Sequence, residues 1–171
     1  MNISAVIITL NSRKYLEHVI ASVRDLDEVM VFDLGSTDDT CVLATSLGAH
    51  VELFPLAGRS IERARDAAIK KSRADWIFFL EPNELATPEL IDYIKRFPEE
   101  HPEAAGLFIP RKNHVLFHFV RNSYPDFRLR LMRRDGTSWP DVPGAFPEVD
   151  GKVIHIPAQE EEKAILHMSG K

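Results

Sequence analysis

The feature that most constrains the fold is an alternation of short apolar runs with helical segments along the first 97 residues. The first run, residues 3–9, is rich in Ile and Val, as a buried parallel strand is. The β-α-β order predicts an α/β fold with an open, mainly parallel sheet flanked by helices on both faces. The predicted strands are residues 3–9, 28–33, 49–54 and 75–80, and the predicted helices between them are residues 12–23, 41–48 and 60–72.

Beyond residue 97 the pattern is less regular and predicts a mixed C-terminal part. Residues 104–120 and 127–134 have the apolar content of strands. In "RLRLM", two leucines alternate with Arg128 and Arg130. Because side chains alternate across a strand, this pattern predicts one apolar face and one cationic face exposed to solvent.

Charge and cysteine content exclude several classes of protein. The net charge of −5 argues against general binding of nucleic acid. The single cysteine, Cys41, excludes an internal disulfide framework and a cysteine-based zinc site. The apolar runs are strand-sized and the N-terminus carries no signal-peptide pattern, so a cytoplasmic protein is expected. Residues 111–134 contain seven Arg or Lys against one acid, Asp126, and such a surface suits phosphates or an anionic membrane.

Polar side chains follow the predicted strands at the ends where open α/β sheets bind ligands. The first strand ends at Thr9 and Asn11, and the second ends at Asp33, with Ser36 in the loop that follows. The fourth ends at "LEPNE", whose oxygen-bearing side chains suit a divalent metal; a solvated turn before the helix that starts at residues 87–88 explains them nearly as well. A dinucleotide-binding domain is disfavoured because the turn after the first strand, "TLNSRK", lacks glycine.

Four segments stand in the order found in family 2 glycosyltransferases: "AVIITLNSRKYLEHVIASV", "EVMVFDLGSTDDT", "RARDAAIKKSRADWIFFLEPNELATPEL" and "YPDFRLRLMRR". The chain resembles the branch of bacterial lipopolysaccharide-core sugar transferases. The resemblance implies a GT-A fold, a nucleoside-diphosphate sugar donor and a glycan or glycolipid acceptor, at the inner face of the membrane. The length of the chain suits one domain, residues 1–171, and the proline-bearing stretch 97–102 divides it into two halves. With the resemblance, these are a nucleotide-binding half, 1–97, and an acceptor-side half, 98–171.

The resemblance also assigns the nucleotide-sugar site by position. Thr9 and Asn11 are expected to line the nucleotide pocket. Asp33 is expected to contact the base, with Ser36 beside it. Arg65 stands where the family has the arginine of an "ARN" segment, near the diphosphate, although Asp rather than Asn follows it in this chain.

A divalent metal, Mg²⁺ or Mn²⁺, is implied in the same way. Glu81 and Asn83 occupy the two ends of the family's Asp-x-Asp metal motif. Glu81 keeps the charge and Asn83 offers only a neutral carbonyl oxygen, so Glu84 is expected to compensate by turning inward. His167 resembles a late His that approaches the metal in GT-A enzymes.

The resemblance favours inverting chemistry, which needs a base for the acceptor's proton. Glu148 occupies the Glu position of the family's His-Glu pair, with Pro147 in place of the His, and Asp126 in "YPDF" is the other candidate. An active transferase is the leading hypothesis. A catalytically weakened nucleotide-sugar-binding or interaction module is the second, because the metal motif and the His-Glu pair are both altered. A fragment that lacks an acceptor-binding or membrane-associating segment is the third.

Overall fold

A ten-stranded mixed sheet organises the protein, which a computed structural model describes over residues 1–170. Its first four strands run parallel in the spatial order β3-β2-β1-β4, and Thr9 pairs with Asp33 where β1 and β2 end together. This arrangement confirms the α/β sheet predicted from the alternation. The strands are β1 (Ile3–Thr9), β2 (Glu28–Asp33), β3 (His50–Leu53) and β4 (Trp76–Leu80).

The helices lie on both faces of this sheet, as predicted. They are α1 (Arg13–Val23), α2 (Thr40–Ser46), α3 (Ile61–Lys71) and α4 (Pro88–Glu100). Thr87 caps α4 by accepting a hydrogen bond of 3.2 Å from the Leu90 backbone N–H, as its place before a proline predicts. The helix α4 continues through Pro98 to Glu100, so most of the stretch 97–102 is helical. Within residues 1–170 no helix combines the length and apolar character needed to cross a bilayer.

The C-terminal part extends the same sheet rather than forming a separate layer. The strand β8 runs antiparallel between β4 and β6, and β12 continues beyond β6 to β5. A short 3₁₀ turn spans Arg121–Ser123. The strands of this part are β5 (Glu84–Ala86), β6 (Ala104–Val115), β7 (His118–Phe119), β8 (Asp126–Arg133), β11 (Lys152–His155) and β12 (Ile165–Ser169), and a separate two-stranded sheet joins β9 (Thr137–Ser138) to β10 (Glu148–Val149).

A β-bulge in β8 overturns the predicted cationic face. Phe108 pairs with Leu129 and Leu107 pairs with Leu131, so Arg130 is an extra residue with no partner across the ladder. The bulge sends the two leucines into the cores on opposite sides of the sheet. Arg130 is therefore buried rather than solvated, because β8 is an interior strand with both faces covered.

Candidate functional site

A cavity of about 520 Å³ opens beyond the carboxyl ends of β1 and β4. Its walls are largely apolar, with a few polar groups that converge on the same space, as in most small-molecule sites. Four of the predicted site residues line it: Thr9, Arg65, Glu81 and Asn83. Arg130, which the sequence pattern placed on a solvated face, lines it as well.

The carboxylate of Asp33 holds the loop that follows β2. Oδ1 accepts hydrogen bonds from Thr9 Oγ1 at 2.7 Å and Ser36 Oγ at 2.6 Å, and Oδ2 accepts from the backbone N–H groups of Gly35 at 3.0 Å and Ser36 at 2.8 Å. Burial alone raises the pKa of Asp33, but these bonds outweigh it and hold the pKa below its usual value. At 1% exposure the carboxylate faces its own loop. Contact with a base remains a prediction and requires exchange of one of these bonds.

Asn11 joins the loop after β1 to the loop after β2. Its backbone lies in the left-handed region, with φ of 49°, a conformation that Asn tolerates better than most residues. Its Oδ1 accepts from the backbone N–H groups of Thr37 at 2.8 Å and Asp38 at 3.2 Å, and its own N–H donates to Ser36 Oγ at 2.8 Å. Asn11 and Ser36 therefore hold the two loops together, and neither lines the cavity, so their contact with a nucleotide stays a prediction.

Arg65 projects from α3 over the indole ring of Trp139. Its Cζ lies 4.8 Å from the ring centroid, and Trp139 in turn packs edge-on against Phe79 at 5.5 Å. Within residues 1–170 the Arg65 guanidinium makes no hydrogen bond or ion pair. Burial, and then the positive charge of Arg130, lower the pKa of Arg65. The sequence pattern missed Trp139, which follows Arg65 by more than 70 residues and has no periodic signal.

The segment that carries Trp139 is fixed to α3 by acidic side chains. The Trp139 backbone N–H donates to Asp66 Oδ1 at 3.0 Å, and the Gly144 N–H donates to Glu62 Oε1 at 2.8 Å. Asp66, which follows Arg65 in the sequence, thus has a structural role. Together these bonds hold the platform on which the arginine rests.

Two carboxylates at the end of β4 face two arginines. Glu84 is fully buried, and its Oε1 accepts from Arg130 Nη2 at 2.9 Å and from the Glu81 backbone N–H at 2.9 Å. The Glu81 carboxylate, 39% exposed, lies 3.4 Å from Arg130 Nη2 and 3.9 Å from Arg111 Nη1. Glu84 does turn inward, but towards arginine, in the short strand β5 rather than in a solvated turn.

Asn83 and His167 meet although they lie 84 residues apart, because β12 pairs with β5. The Asn83 Nδ2 group donates to Met168 O at 2.9 Å and lies 3.2 Å from His167 Nε2. His167 Nδ1 lies 2.9 Å from Asn113 Oδ1, so the ring is assigned the tautomer that donates from Nδ1 and accepts at Nε2. Burial, and then the charge of Arg111, lower the pKa of His167, which keeps the ring neutral at pH 7.

The sequence profile of glycosyl transferase family 2 matches residues 4–147, most of the chain. The chain belongs to glycosyl transferase family 2. An uncharacterized glycosyltransferase of Rickettsia bellii is 40% identical over 94 residues, which are 54% of this chain and 31% of that protein. The lipopolysaccharide core biosynthesis glycosyltransferase LpsC of Rhizobium meliloti is 26% identical over 137 residues, 77% of this chain and 51% of LpsC. The chain thus spans about a third of the first relative and half of the second.

Solved structures support the GT-A fold. Residues 1–349 of S. aureus TarS superpose with a TM-score of 0.61 at 20% identity, over 78% of this chain and 47% of that one. Glucosyl-3-phosphoglycerate synthase from Mycobacterium tuberculosis, in complex with Mn²⁺, UDP-glucose and phosphoglyceric acid, gives a TM-score of 0.54 at 24% identity, over 67% and 44% of the two chains.

In this member of glycosyl transferase family 2 the predicted metal residues do not form a donor set that fits Mg²⁺ or Mn²⁺. Glu81, Asn83 and His167 do come together, but the neighbouring carboxylates are already paired with Arg130 and Arg111. The His167 Nε2 lone pair faces the Asn83 amide group. Within residues 1–170 no group of three or more His, Cys, Asp or Glu side chains is arranged to hold a metal ion. Hard divalent cations prefer several free anionic oxygens. The carboxylate oxygen Glu84 Oε2 accepts no hydrogen bond from residues 1–170, but it is fully buried and lies 3.9 Å from Arg111 Nη1.

The two predicted bases lie in different surroundings. Asp126 contacts Arg111 Nη2 at 2.8 Å, Arg128 Nε at 3.1 Å and Asn113 Nδ2 at 3.1 Å. Burial raises the pKa of Asp126, but hydrogen bonds and charge from these three partners hold it below its usual value, which weakens the carboxylate as a proton acceptor. Glu148 is exposed in the small sheet, paired with Ser138. Neither residue lines the cavity, so the catalytic role of each stays a prediction.

Proposed function

We propose that the chain is the donor-binding part of a glycosyltransferase that moves a sugar from a nucleoside-diphosphate sugar to a glycan or lipid-linked acceptor. The observation that carries the proposal is the cavity of a family 2 domain, apolar over most of its wall and lined by Arg65 and Arg130. Its apolar wall suits a nucleoside, and its two guanidinium groups suit a diphosphate. TarS has been solved in complex with UDP-GlcNAc, and the mycobacterial synthase in complex with UDP-glucose. UDP-sugars are therefore the first donors to test.

The reaction is a displacement at the anomeric carbon of the donor sugar. An acceptor oxygen forms the new bond to that carbon, and the bond to the diphosphate breaks with its electron pair left on the phosphate oxygen. Arg65 and Arg130 stabilise the negative charge that develops there. The acceptor's proton passes to a carboxylate, for which Asp126 and Glu148 remain the candidates.

The acceptor and pathway are inferred from similarity. LpsC, which this chain resembles over 77% of its length, is a lipopolysaccharide core biosynthesis glycosyltransferase. We therefore place the reaction in bacterial cell-surface polysaccharide synthesis, on the cytoplasmic side of the membrane.

A hairpin tip supports peripheral membrane contact. Leu116 and Phe117 form the two-residue turn between β6 and β7 with φ of 48° and 67°. Such turns favour Asn-Gly, and large apolar residues in this conformation are strained. Phe117 is 73% exposed, and Lys112 and Arg121 near the hairpin share one acidic partner, Glu161, at 3.4 Å. A strained apolar tip beside Lys112 and Arg121 suits the surface of an anionic bilayer.

A donor screen tests the proposed function. The protein is incubated with UDP- and GDP-sugars. Release of the nucleoside diphosphate measures turnover, and binding of the intact sugar nucleotide to the protein is measured separately. Turnover, by hydrolysis or by transfer to a supplied glycan acceptor, supports the transferase. Binding without turnover over the whole panel supports the weakened binding module instead, which the altered Glu81-x-Asn83 motif favours. Absence of both binding and turnover refutes a nucleotide-sugar function.

A further inference from the structure

We propose that Arg65 and Arg130 bind the diphosphate of the donor directly, without a divalent metal ion between protein and phosphate. This inference rests on the function proposed above and specifies how its binding site works. It departs from the expectation of a bound Mg²⁺ or Mn²⁺ that the family resemblance carries.

Both arginines have hydrogen-bond donors to spare at the cavity. A guanidinium group carries five N–H donors in a planar fork that matches phosphate oxygens. Arg130 uses Nη2 for its two carboxylate partners, and within residues 1–170 its Nη1 forms no hydrogen bond; its side chain is only 9% exposed. Arg65 forms no hydrogen bond or ion pair with residues 1–170, and its guanidinium lies over the Trp139 ring. A diphosphate in the cavity satisfies donors that otherwise remain unpaired.

The charge of the cluster also favours an anion over a cation. Three carboxylates meet three arginines by direct contact. Arg65 and Lys14 add two positive charges at the cavity, against the single negative charge of Glu62 beside Arg65. A divalent cation entering this cluster meets positive charge that already balances the carboxylates, whereas a diphosphate meets an excess of positive charge. The paired side chains are Glu81, Glu84 and Asp126 with Arg111, Arg128 and Arg130.

The fold holds both guanidinium groups in place before any ligand binds. The β-bulge in β8 turns Arg130 out of the ladder and into the cavity, where Glu84 fixes its position. Trp139 is anchored to α3 through Asp66, and its ring packs against the Arg65 guanidinium. Preorganised cations of this kind bind an anion without paying for side-chain ordering at the moment of binding.

The test is calorimetric titration of the protein with UDP and with GDP, first in EDTA and then with excess Mn²⁺. Inorganic pyrophosphate serves as a competitor in EDTA, to show that the diphosphate itself is recognised. Arg65→Gln removes one donor group without breaking an ion pair, and we expect its affinity to fall about tenfold or more. Arg63→Gln is the matched control, because Arg63 is an exposed arginine on the same helix. Thermal unfolding of each variant verifies that the fold is intact.

Glu81→Gln separates the two modes of binding by the sign of its effect. If Glu81 were a metal ligand, this substitution would weaken nucleotide binding. If arginines bind the diphosphate, removal of a negative charge beside Arg130 tightens binding in EDTA by about threefold to tenfold at low salt.

Binding in EDTA that pyrophosphate displaces, that Arg65→Gln weakens and that Glu81→Gln strengthens supports the inference. Binding that appears only with Mn²⁺, or that Glu81→Gln abolishes, overturns it but leaves the proposed donor-binding function standing. Failure of both nucleotides to bind under either condition overturns the inference and the proposed function together.

Discussion

Arg130→Met is the substitution that most directly tests how the cavity is built. It replaces the guanidinium with an unbranched apolar side chain and leaves the stem of the residue in place. Glu84 then keeps its negative charge at a site with no exposure to solvent. The contact that disappears is the 2.9 Å bond from Arg130 Nη2 to Glu84 Oε1, together with the 3.4 Å contact to Glu81.

The expected loss follows from what remains around Glu84. Removing one partner of a buried ion pair costs about 3–5 kcal/mol, because the other charge stays buried and uncompensated. Here the Glu81 backbone N–H still donates at 2.9 Å, and Arg111 Nη1 still lies 3.9 Å from Glu84 Oε2. We therefore expect the lower end of the range, about 3 kcal/mol, which lowers the melting temperature of a chain of this size by about 6–12 °C.

Urea denaturation followed by tryptophan fluorescence measures the change in the free energy of unfolding. Arg128→Met is the control on the same strand. The Arg128 side chain is 36% exposed and Asp126 keeps Arg111, so we expect a loss of unfolding free energy of about 1 kcal/mol or less. The double variant Arg130→Met with Glu84→Gln removes the stranded charge, and we expect it to regain most of the loss. A loss below about 1 kcal/mol for Arg130→Met alone would refute the view that this pair is buried and mutually dependent.

Three further predictions concern other parts of the molecule. The pKa of Asp33 is lowered in the folded state, so its carboxylate stabilises the fold above the unfolded-state value of about 4 and this contribution is lost as the pH falls through the folded value. In urea titrations we expect the free energy of unfolding of the wild type to exceed that of Asp33→Asn by about 2 kcal/mol at pH 7, and by less at pH 3. An equal difference at both pH values contradicts this role. Trp139→Leu removes the platform of Arg65, and we expect weaker UDP binding in calorimetry and a stability loss of about 2 kcal/mol in urea; unchanged affinity speaks against the platform. Phe117→Ser is expected to abolish co-sedimentation with vesicles containing phosphatidylserine while leaving the melting temperature within a few degrees, and equal co-sedimentation of both proteins excludes the hairpin as the contact.

The regular half of the fold was predictable because its signals are local. A buried parallel strand needs an unbroken apolar run, and each such run here became a strand within two residues of its predicted bounds. Thr87 and Pro88 marked the start of α4 for the same reason, since a cap acts over a single turn. The positions of Thr9 and Asp33 at one edge followed from the rule that parallel strands end together.

The cavity itself was only partly predictable, since its decisive contacts join distant parts of the chain. Arg130 was assigned to a solvated face because period-two alternation assumes an unbroken ladder, and a bulge of one residue breaks it. Asn83 and His167 were both candidates, yet their contact depends on the pairing of β5 with β12. Trp139 reaches Arg65 through a loop that has no periodic pattern.

The sequence by itself determined the α/β architecture, the edge of the sheet at which the cavity lies and the family to which the chain belongs. Those features depend on hydrophobic periodicity and on the local order of short motifs. Only the tertiary structure decided the electrostatic character of the site. Whether Glu81 and Glu84 face a metal or arginines depends on strand register and on the bulge at Arg130. Both arise from packing between segments far apart in sequence, because an arginine can neutralise a buried carboxylate only where the fold brings the two within a few ångströms.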